Sequence, residues 1–195
     1  MLFLPYVIST AILGFLATIV FDPNIGILNS IIKYFGLDSM QSAWLGDPNL
    51  SFGLLVGVVV WQAVGPGMMI FYANMKEIPE SVMEAALIDG AGELTKFFKV
   101  VLPQLIPSIT TNFILGTIFA LTIFDIPFIL GGPGGGVNNT IDFVNMVFYR
   151  YAFGGSHFGE TSLGFGASIS VSMFVLILIV VIIQQVLLKR KEYER

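Results

Sequence analysis

Apolar residues in this chain come in long uninterrupted runs, separated by shorter polar stretches. Residues 1–21, 48–75, 100–124 and 161–188 contain no Asp, Glu, Lys or Arg. Each run exceeds the ~18–20 residues that a helix needs to cross the hydrocarbon core of a bilayer. The runs predict membrane-spanning helices over roughly 2–20, 51–73, 105–128 and 167–188. Residues 1–21 lack the basic start and the small-residue cleavage site of a signal peptide, so they read as a retained span. The predicted fold is an all-α polytopic membrane helix bundle with about four transmembrane helices.

The connecting segments carry patterns of their own. In "IGILNSIIKYFGL", Ile25, Leu28, Ile31, Ile32 and Phe35 recur at helical spacing, with Gly26, Asn29, Lys33 and Gly36 on the other face. Two readings stay open: a short helix lying in the membrane interface, or a surface turn packed on the bundle. "GGPGGG", Gly131 to Gly136, cannot continue a helix and marks a break after the third span. "TIDFVNMVFYRYAF", Thr140 to Phe153, has the pattern of an amphipathic helix dipping back towards the bilayer.

Within the spans, small residues mark close helix contacts. Gly53 and Gly57 form a G-x-x-x-G step, and Gly164, Ser168 and Ser172 repeat the idea, helped by Gly166 and Ala167. "AVGPG" puts Pro66 between two glycines inside the second span and predicts a kink or hinge. On the third span, Thr111, Leu115, Ile118, Thr122 and Asp125 fall on one helix face, with Asn112 beside it. An ionisable group near a span is a functional candidate by default. Asp125 reads either as part of a translocation path or its outer gate, or as a structural hydrogen-bonding or interface residue. Gln62, beside Trp61, is a similar candidate.

Composition agrees with a membrane protein and excludes several functions. The chain has 195 residues, 55% hydrophobic and 11% charged, where soluble domains carry about 25% charged residues. There is no cysteine, which removes disulfides and thiolate metal sites. The formal charge of −4 and the lack of a basic stripe argue against nucleic acid. The one histidine, His157, has only Glu160 near it, too few ligands for a metal site. No nucleophile elbow, H-E-x-x-H or P-loop occurs, so the expectation is no catalytic residue, no metal and no cofactor. The basic residues fix the expected orientation. Four spans put Lys76, Lys96, Lys99, Lys189, Arg190, Lys191 and Arg195 on one side, seven of the nine Lys and Arg, leaving Lys33 and Arg150 opposite. By the positive-inside rule, residues 74–104 and the C-terminus are cytoplasmic, while 21–50 and 129–166 face outward.

The expected cytoplasmic element is elaborate for a loop. Pro79 suits a first helical position, and Glu77, Glu80 and Glu84 lie at or near the amino end, where the helix dipole favours them. Asp89-Gly90 ends the helix, Gly taking the left-handed cap. A second helix, "ELTKFFKVVL", leads to Pro103 and the third span. The result is a helix–turn–helix whose Ala85, Ala86 and Gly90 present little side chain, so another protein can approach its backbone.

The residues "EAALIDGAGELTKFFKVVLPQLIPSI" resemble the EAA loop of ABC importer permeases. "GILN" at 26–29, "IPESVMEAA", "FDIPFILGGPGG" at 124–135, "FYRYAF" at 148–153 and "LGFGAS" at 163–168 resemble the sugar-importer branch, which includes the larger membrane subunit of the maltose transporter. The resemblance runs through essentially the whole chain, as a single permease domain over 1–195. It implies a permease subunit without enzymatic activity, moving a sugar or oligosaccharide across a cell membrane. Its implied partners are cytoplasmic ATP-binding subunits that hydrolyse ATP, a second permease subunit, an extracytoplasmic solute-binding protein and membrane lipid. Carried over by motif, Glu84, Ala85, Ala86, Asp89 and Gly90 dock the ATPase. Gln62, Asn112, Thr122 and Asp125 are the candidates for the path. Members of the family usually have two further spans before the first one here, so the expectation is a chain lacking them. Leu130 replaces the usual Thr before Gly-Gly-Pro. The rivals are an importer for another solute and a truncated, non-transporting scaffold. A channel or secondary carrier would need more intramembrane charge and no coupling loop.

Overall fold

The computed structural model describes residues 3–154 and 161–193, and His157 and Glu160 lie outside them. Among the described residues there are helices and turns but no strand. The helices are α1 (Leu4–Val7), α2 (Thr10–Val20), α3 (Ile27–Tyr34), α4 (Pro48–Lys76), α5 (Glu80–Ile88), α6 (Glu93–Lys96), α7 (Leu102–Gln104), α8 (Ile106–Thr122), α9 (Asp125–Gly131), α10 (Val144–Phe153) and α11 (Leu163–Tyr193). A π-helical turn, Phe97–Val101, joins α6 to α7.

Two of the predicted spans form as single helices. α4 has 29 residues and the apolar part of α11, Leu163–Leu188, has 26, about 40 Å each at 1.5 Å per residue. Only 22% of α4's most apolar window and 6% of α11's are buried within the chain. Such surfaces belong against lipid or other apolar helices.

The other two windows are broken. In the first, Ile8 and Ser9 are extended, and α2 alone has 11 residues, about 16 Å, too short to span. In the third, α8 stops at Thr122 instead of running to 128. Pro127 explains this, because inside a longer helix its ring would strike the carbonyl of Ile123 and remove a hydrogen bond. Phe124 leaves the helical region (φ −143°, ψ −54°), and Pro127 falls in the first turn of α9. There no amide hydrogen is needed. At the other end, Glu93–Gln104 and Ile106–Thr122 meet at 61°. The predicted face from Thr111 to Asp125 therefore does not exist as one helix face.

The chain forms two compact units. One comprises Met1–Val64 and Thr122–Leu176. Its core is Leu13, Leu55, Ile126 and Ile141, with Ile8, Val58, Val59, Leu130 and Phe143 packed around them. Gly14 lets α9 close onto α2, since a Cβ there would sit 3.1 Å from Ile129 Cδ1. Ser51 and Thr140 hydroxyls join at 2.8 Å. The glycine loop after α9 is tied down by a bidentate ion pair: Arg150 donates to Asp142 at 2.9 and 2.7 Å and to the Pro133 carbonyl at 2.9 Å. The Asp142 carboxylate raises the Arg150 pKa, with burial opposing it. The other unit comprises Gly65–Leu121 and Ile177–Arg195, with Ala86, Val101, Leu105 and Ser108 buried. Pro66 stands inside α4, and the division between the units falls one residue before it, between Val64 and Gly65.

Gly14→Val should lower the unfolding temperature in detergent, reflecting the ~1–3 kcal/mol typical of overpacking. Gly53→Ala should not lower it and should raise it slightly, because nothing lies within 4 Å of the added Cβ and Ala favours a helix interior over Gly by about 0.5–1 kcal/mol. Arg150→Met should cost about 1.5–3 kcal/mol, the range for hydrogen bonds to charged groups, read by chemical denaturation.

Candidate functional site

The predicted helix–turn–helix is present. α5 begins with Pro79 at its N-cap (φ −62°, ψ 138°), one position earlier than expected, with Glu80 in the first turn. Its end is a complete Schellman motif. Gly90 adopts φ +72° and its amide bonds the Leu87 carbonyl at 3.0 Å, while the Ala91 amide bonds the Ala86 carbonyl at 3.0 Å. A β-carbon at Gly90 would meet nothing within 4 Å. Glycine is therefore needed for its backbone angle and not for space.

Exposure divides the motif residues. Glu84, Ala85, Asp89 and Gly90 are exposed, and so are Leu87 (56%) and Ile88 (86%). Ala86 is 7% exposed. The expected exposed small-residue face is corrected at that position: Ala86 turns into its own unit, and its size lets α5 seat closely there. The apolar Leu87 and Ile88 take its place on the outer surface. Hydrophobic periodicity alone did not single them out, because one turn of helix does not say which side is inside.

The second helix is shaped by its prolines. Pro103 would clash with the Lys99 carbonyl in a regular α-helix. The wider π turn at Phe97–Val101 lies where that carbonyl sits. The Leu105 amide then splits between the carbonyls of Val101 and Leu102, at 3.2 and 3.1 Å. Pro107 falls in the first turn of α8. A cleft of ≈ 260 Å³ lies beneath α5, lined mainly by Met75, Ile78, Met83, Phe97 and Val101. Lys96 and Glu93 pair at 2.7 Å at its edge, with Glu93 82% exposed. Such a pair adds little stability.

The path candidates do not form one cluster. Gln62 is buried (6%), and its amide reaches the Ile8 carbonyl and Thr10 hydroxyl at 3.5 and 3.4 Å, bracing α4 against the α1–α2 junction. Asn112 is half-buried and donates to the Ser108 carbonyl at 3.0 Å. Its Oδ1 lies 3.2 Å from where a Cβ on Gly67 would stand. Thr122 and Asp125 are exposed on either side of the break between α8 and α9. The Thr122 carbonyl accepts from Asn145 Nδ2 at 2.7 Å.

Two polar groups inside the helices escaped the sequence reading. Gln184 Nε2 donates to the Thr117 hydroxyl at 2.7 Å, and Gln184 Oε1 and Ser108 Oγ are buried without a partner. Gln184 and Gln185 interrupt an apolar run, a signal that was available. Among the described residues, no three His, Cys, Asp or Glu side chains lie close enough to hold a metal ion.

The family described as "binding-protein-dependent transport system inner membrane component" matches residues 1–193. The probable ABC transporter permease protein YurN of Bacillus subtilis is 29% identical over 98% of the chain and 63% of its own length. The sulfoquinovosyl glycerol transport system permease protein SmoG of Agrobacterium fabrum is 29% identical over 98% of the chain and 59% of its own. A crystal structure of a bacterial alginate ABC transporter, in complex with an alginate pentasaccharide-bound periplasmic protein, contains a similar chain. The TM-score is 0.84 at 21% identity, covering 98% of this chain and 64% of that one, a likeness of fold. The chain thus spans about three-fifths of the relatives it matches. With the family matched along almost its whole length and the polytopic helical fold in agreement, the chain belongs to the binding-protein-dependent transport system inner membrane components.

Proposed function

We propose that this chain acts as one permease domain of an ABC importer for a sugar or oligosaccharide, receiving the work of ATP hydrolysis through α5. The observation that carries the coupling role is the exposed α5, closed by Gly90 in a left-handed cap and joined through a π turn and a 61° bend to α8. A proline-shaped connection transmits displacement better than a floppy loop. The chain has no P-loop, so ATP-binding subunits supply the hydrolysis.

Glu84, Ala85, Asp89 and Gly90 form the docking surface in this reading, with Leu87 and Ile88 as its apolar contacts and Ala86 as the seat beneath. The basic residues at 76, 96 and 99 support a cytoplasmic position for this element and for the C-terminus. A second permease subunit and an extracytoplasmic solute-binding protein complete the assembly. The sugar assignment rests on the sugar-branch motifs and on the glycoside-transporting relative from Agrobacterium. For the path, the exposed Thr122 and Asp125 are the stronger candidates. Gln62 braces α4 against the α1–α2 junction, and Asn112 bonds the Ser108 carbonyl one turn back in α8.

Two variants test the coupling role in the full transporter. Gly90→Val puts a β-branched residue at φ +72° and disturbs the cap. Ile88→Asp charges the apolar contact. Each should lower binding-protein-stimulated ATP hydrolysis about 10-fold or more, equivalent to ~1.4 kcal/mol, and weaken ATPase co-purification. Unchanged stimulation and co-purification would refute docking through α5 and favour a scaffold. Uptake of labelled oligosaccharides by cells carrying the full transporter should fall to background when Asp125 is changed to Lys. Uptake of an amino acid or inorganic ion instead would overturn the sugar assignment.

A further inference from the structure

α3 turns Asn29 inward and leaves four large apolar or aromatic side chains at its surface, with Leu28 and Ile32 half-buried between them. Asn29 is 7% exposed. Its Nδ2 donates to the carbonyls of Pro23 and Ser42, both at 3.0 Å. Its Oδ1 accepts from the Ser42 amide at 3.4 Å and from the Trp44 indole at 2.7 Å. Two donors and two acceptors are the whole capacity of a carboxamide, and all are met inside this segment. Four of the large side chains point away. Ile27 is 55% exposed, Ile31 49%, Tyr34 86% and Phe35 70%. In water this arrangement would expose apolar area at about 25 cal/mol per Å² while hiding an amide that water could solvate.

The level of α3 is set by the turn before it. A Cβ on Gly26 would lie 2.2 Å from the Asp22 carbonyl oxygen and 2.7 Å from that of Val20. The chain thus doubles back directly at the end of α2. Asp22 Oδ1 holds the turn by accepting the amides of Asn24 and Ile25 at 2.8 and 3.0 Å, and these bonds lower its pKa. α3 packs against α2, whose Ile12, Phe15 and Ile19 are exposed. In this unit the cations are Lys33 and Arg150. Arg150 is paired with Asp142, while Lys33 is exposed in the last turn of α3.

We propose that α3 lies in the headgroup–acyl boundary of the bilayer, with Ile27, Ile31, Tyr34 and Phe35 in lipid and Lys33 reaching a lipid phosphate. Internal satisfaction of polar groups is what an apolar exterior demands. A basic residue beside aromatic and aliphatic side chains suits that boundary. The placement anchors α2 and α4, which the segment connects. It rests on the family's membrane location, and not on the coupling role or the solute.

Residues 1–195 include no cysteine, so in a full transporter whose remaining cysteines are replaced by serine, single nitroxide labels can be placed by Ile31→Cys, Phe35→Cys and, as a control, Asp38→Cys. The labelled full transporter is reconstituted in phosphatidylcholine vesicles, and power-saturation EPR compares access of oxygen with that of a nickel chelate. At positions 31 and 35 oxygen should be favoured several-fold, at a depth of about 5–10 Å, with the preference reversed at 38. Chelate access at 31 and 35 equal to that at 38 would show a water-exposed helix and overturn the proposal. Low access to both reagents would show a protein cover, such as the second permease or the binding protein, and would overturn it equally. Phe35→Trp provides a label-free readout: brominated phosphatidylcholine should quench its emission, and no quenching would count against lipid contact.

Discussion

Proline lacks the amide hydrogen that a helix needs, and in apolar surroundings no water takes over the orphaned carbonyl. The course of this chain follows that constraint. Pro48 opens α4, Pro79 caps α5, Pro107 lies in the first turn of α8 and Pro127 in that of α9. Each stands where an amide is dispensable. Pro103 lies deeper, and the backbone before it widens into a π turn. Pro66 is the exception, inside α4 and between glycines, and the division between the two compact units falls beside it. A hydrogen bond is missing there, so the helix is locally softer than its neighbours.

The same constraint shapes the connection from α5 to α8, the element proposed to couple. A displacement of α5 reaches α8 only if the connection resists bending. A loop of ordinary flexibility between Ile88 and Ile106 would absorb it. Instead the Schellman closure fixes the end of α5, and α6, the π turn and α7 follow with few irregular residues. Glycine at position 90 accepts the left-handed angle at no steric cost, where an L-residue would lose roughly 1–2 kcal/mol. Ala86 matters for its smallness towards the inside, so "EAA" combines an exposed charge, an exposed small residue and a buried small residue.

Much of this was legible in the chain. The absence of charge over 48–75 and 161–188 found α4 and α11, and Asp89-Gly90 found the end of α5. The error in the third window has a plain physical source. A hydropathy window sums side chains over some 18 residues and does not register where a single imino acid forces a restart, so the third window concealed the break at Phe124. Periodicity in "IGILNSIIKYFGL" found the helix but not which residues turn inward: Asn29 is buried and Leu28 and Ile32 half-buried, while Lys33 and Gly36 of the expected polar face are exposed. In water the apolar face turns in. At a membrane it can turn out, and only the hydrogen bonds of Asn29 decide.

Polar residues within apolar helices thus divide by their partners. Asn29 is wholly committed, and Gln62 braces α4. Gln184 is held on Thr117 through one end of its amide while the other is unpaired. Such groups fix helices to one another where apolar burial alone gives no preference between protein and lipid. In the proposed role, a solute bearing hydroxyl groups would need polar atoms that can exchange partners as it passes. Exposed side chains meet that condition and buried braces do not. Asp125, exposed beside a helix break, therefore meets the condition set for the proposed path where the buried Gln62 does not, although a count of polarity along the spans would rank the two alike.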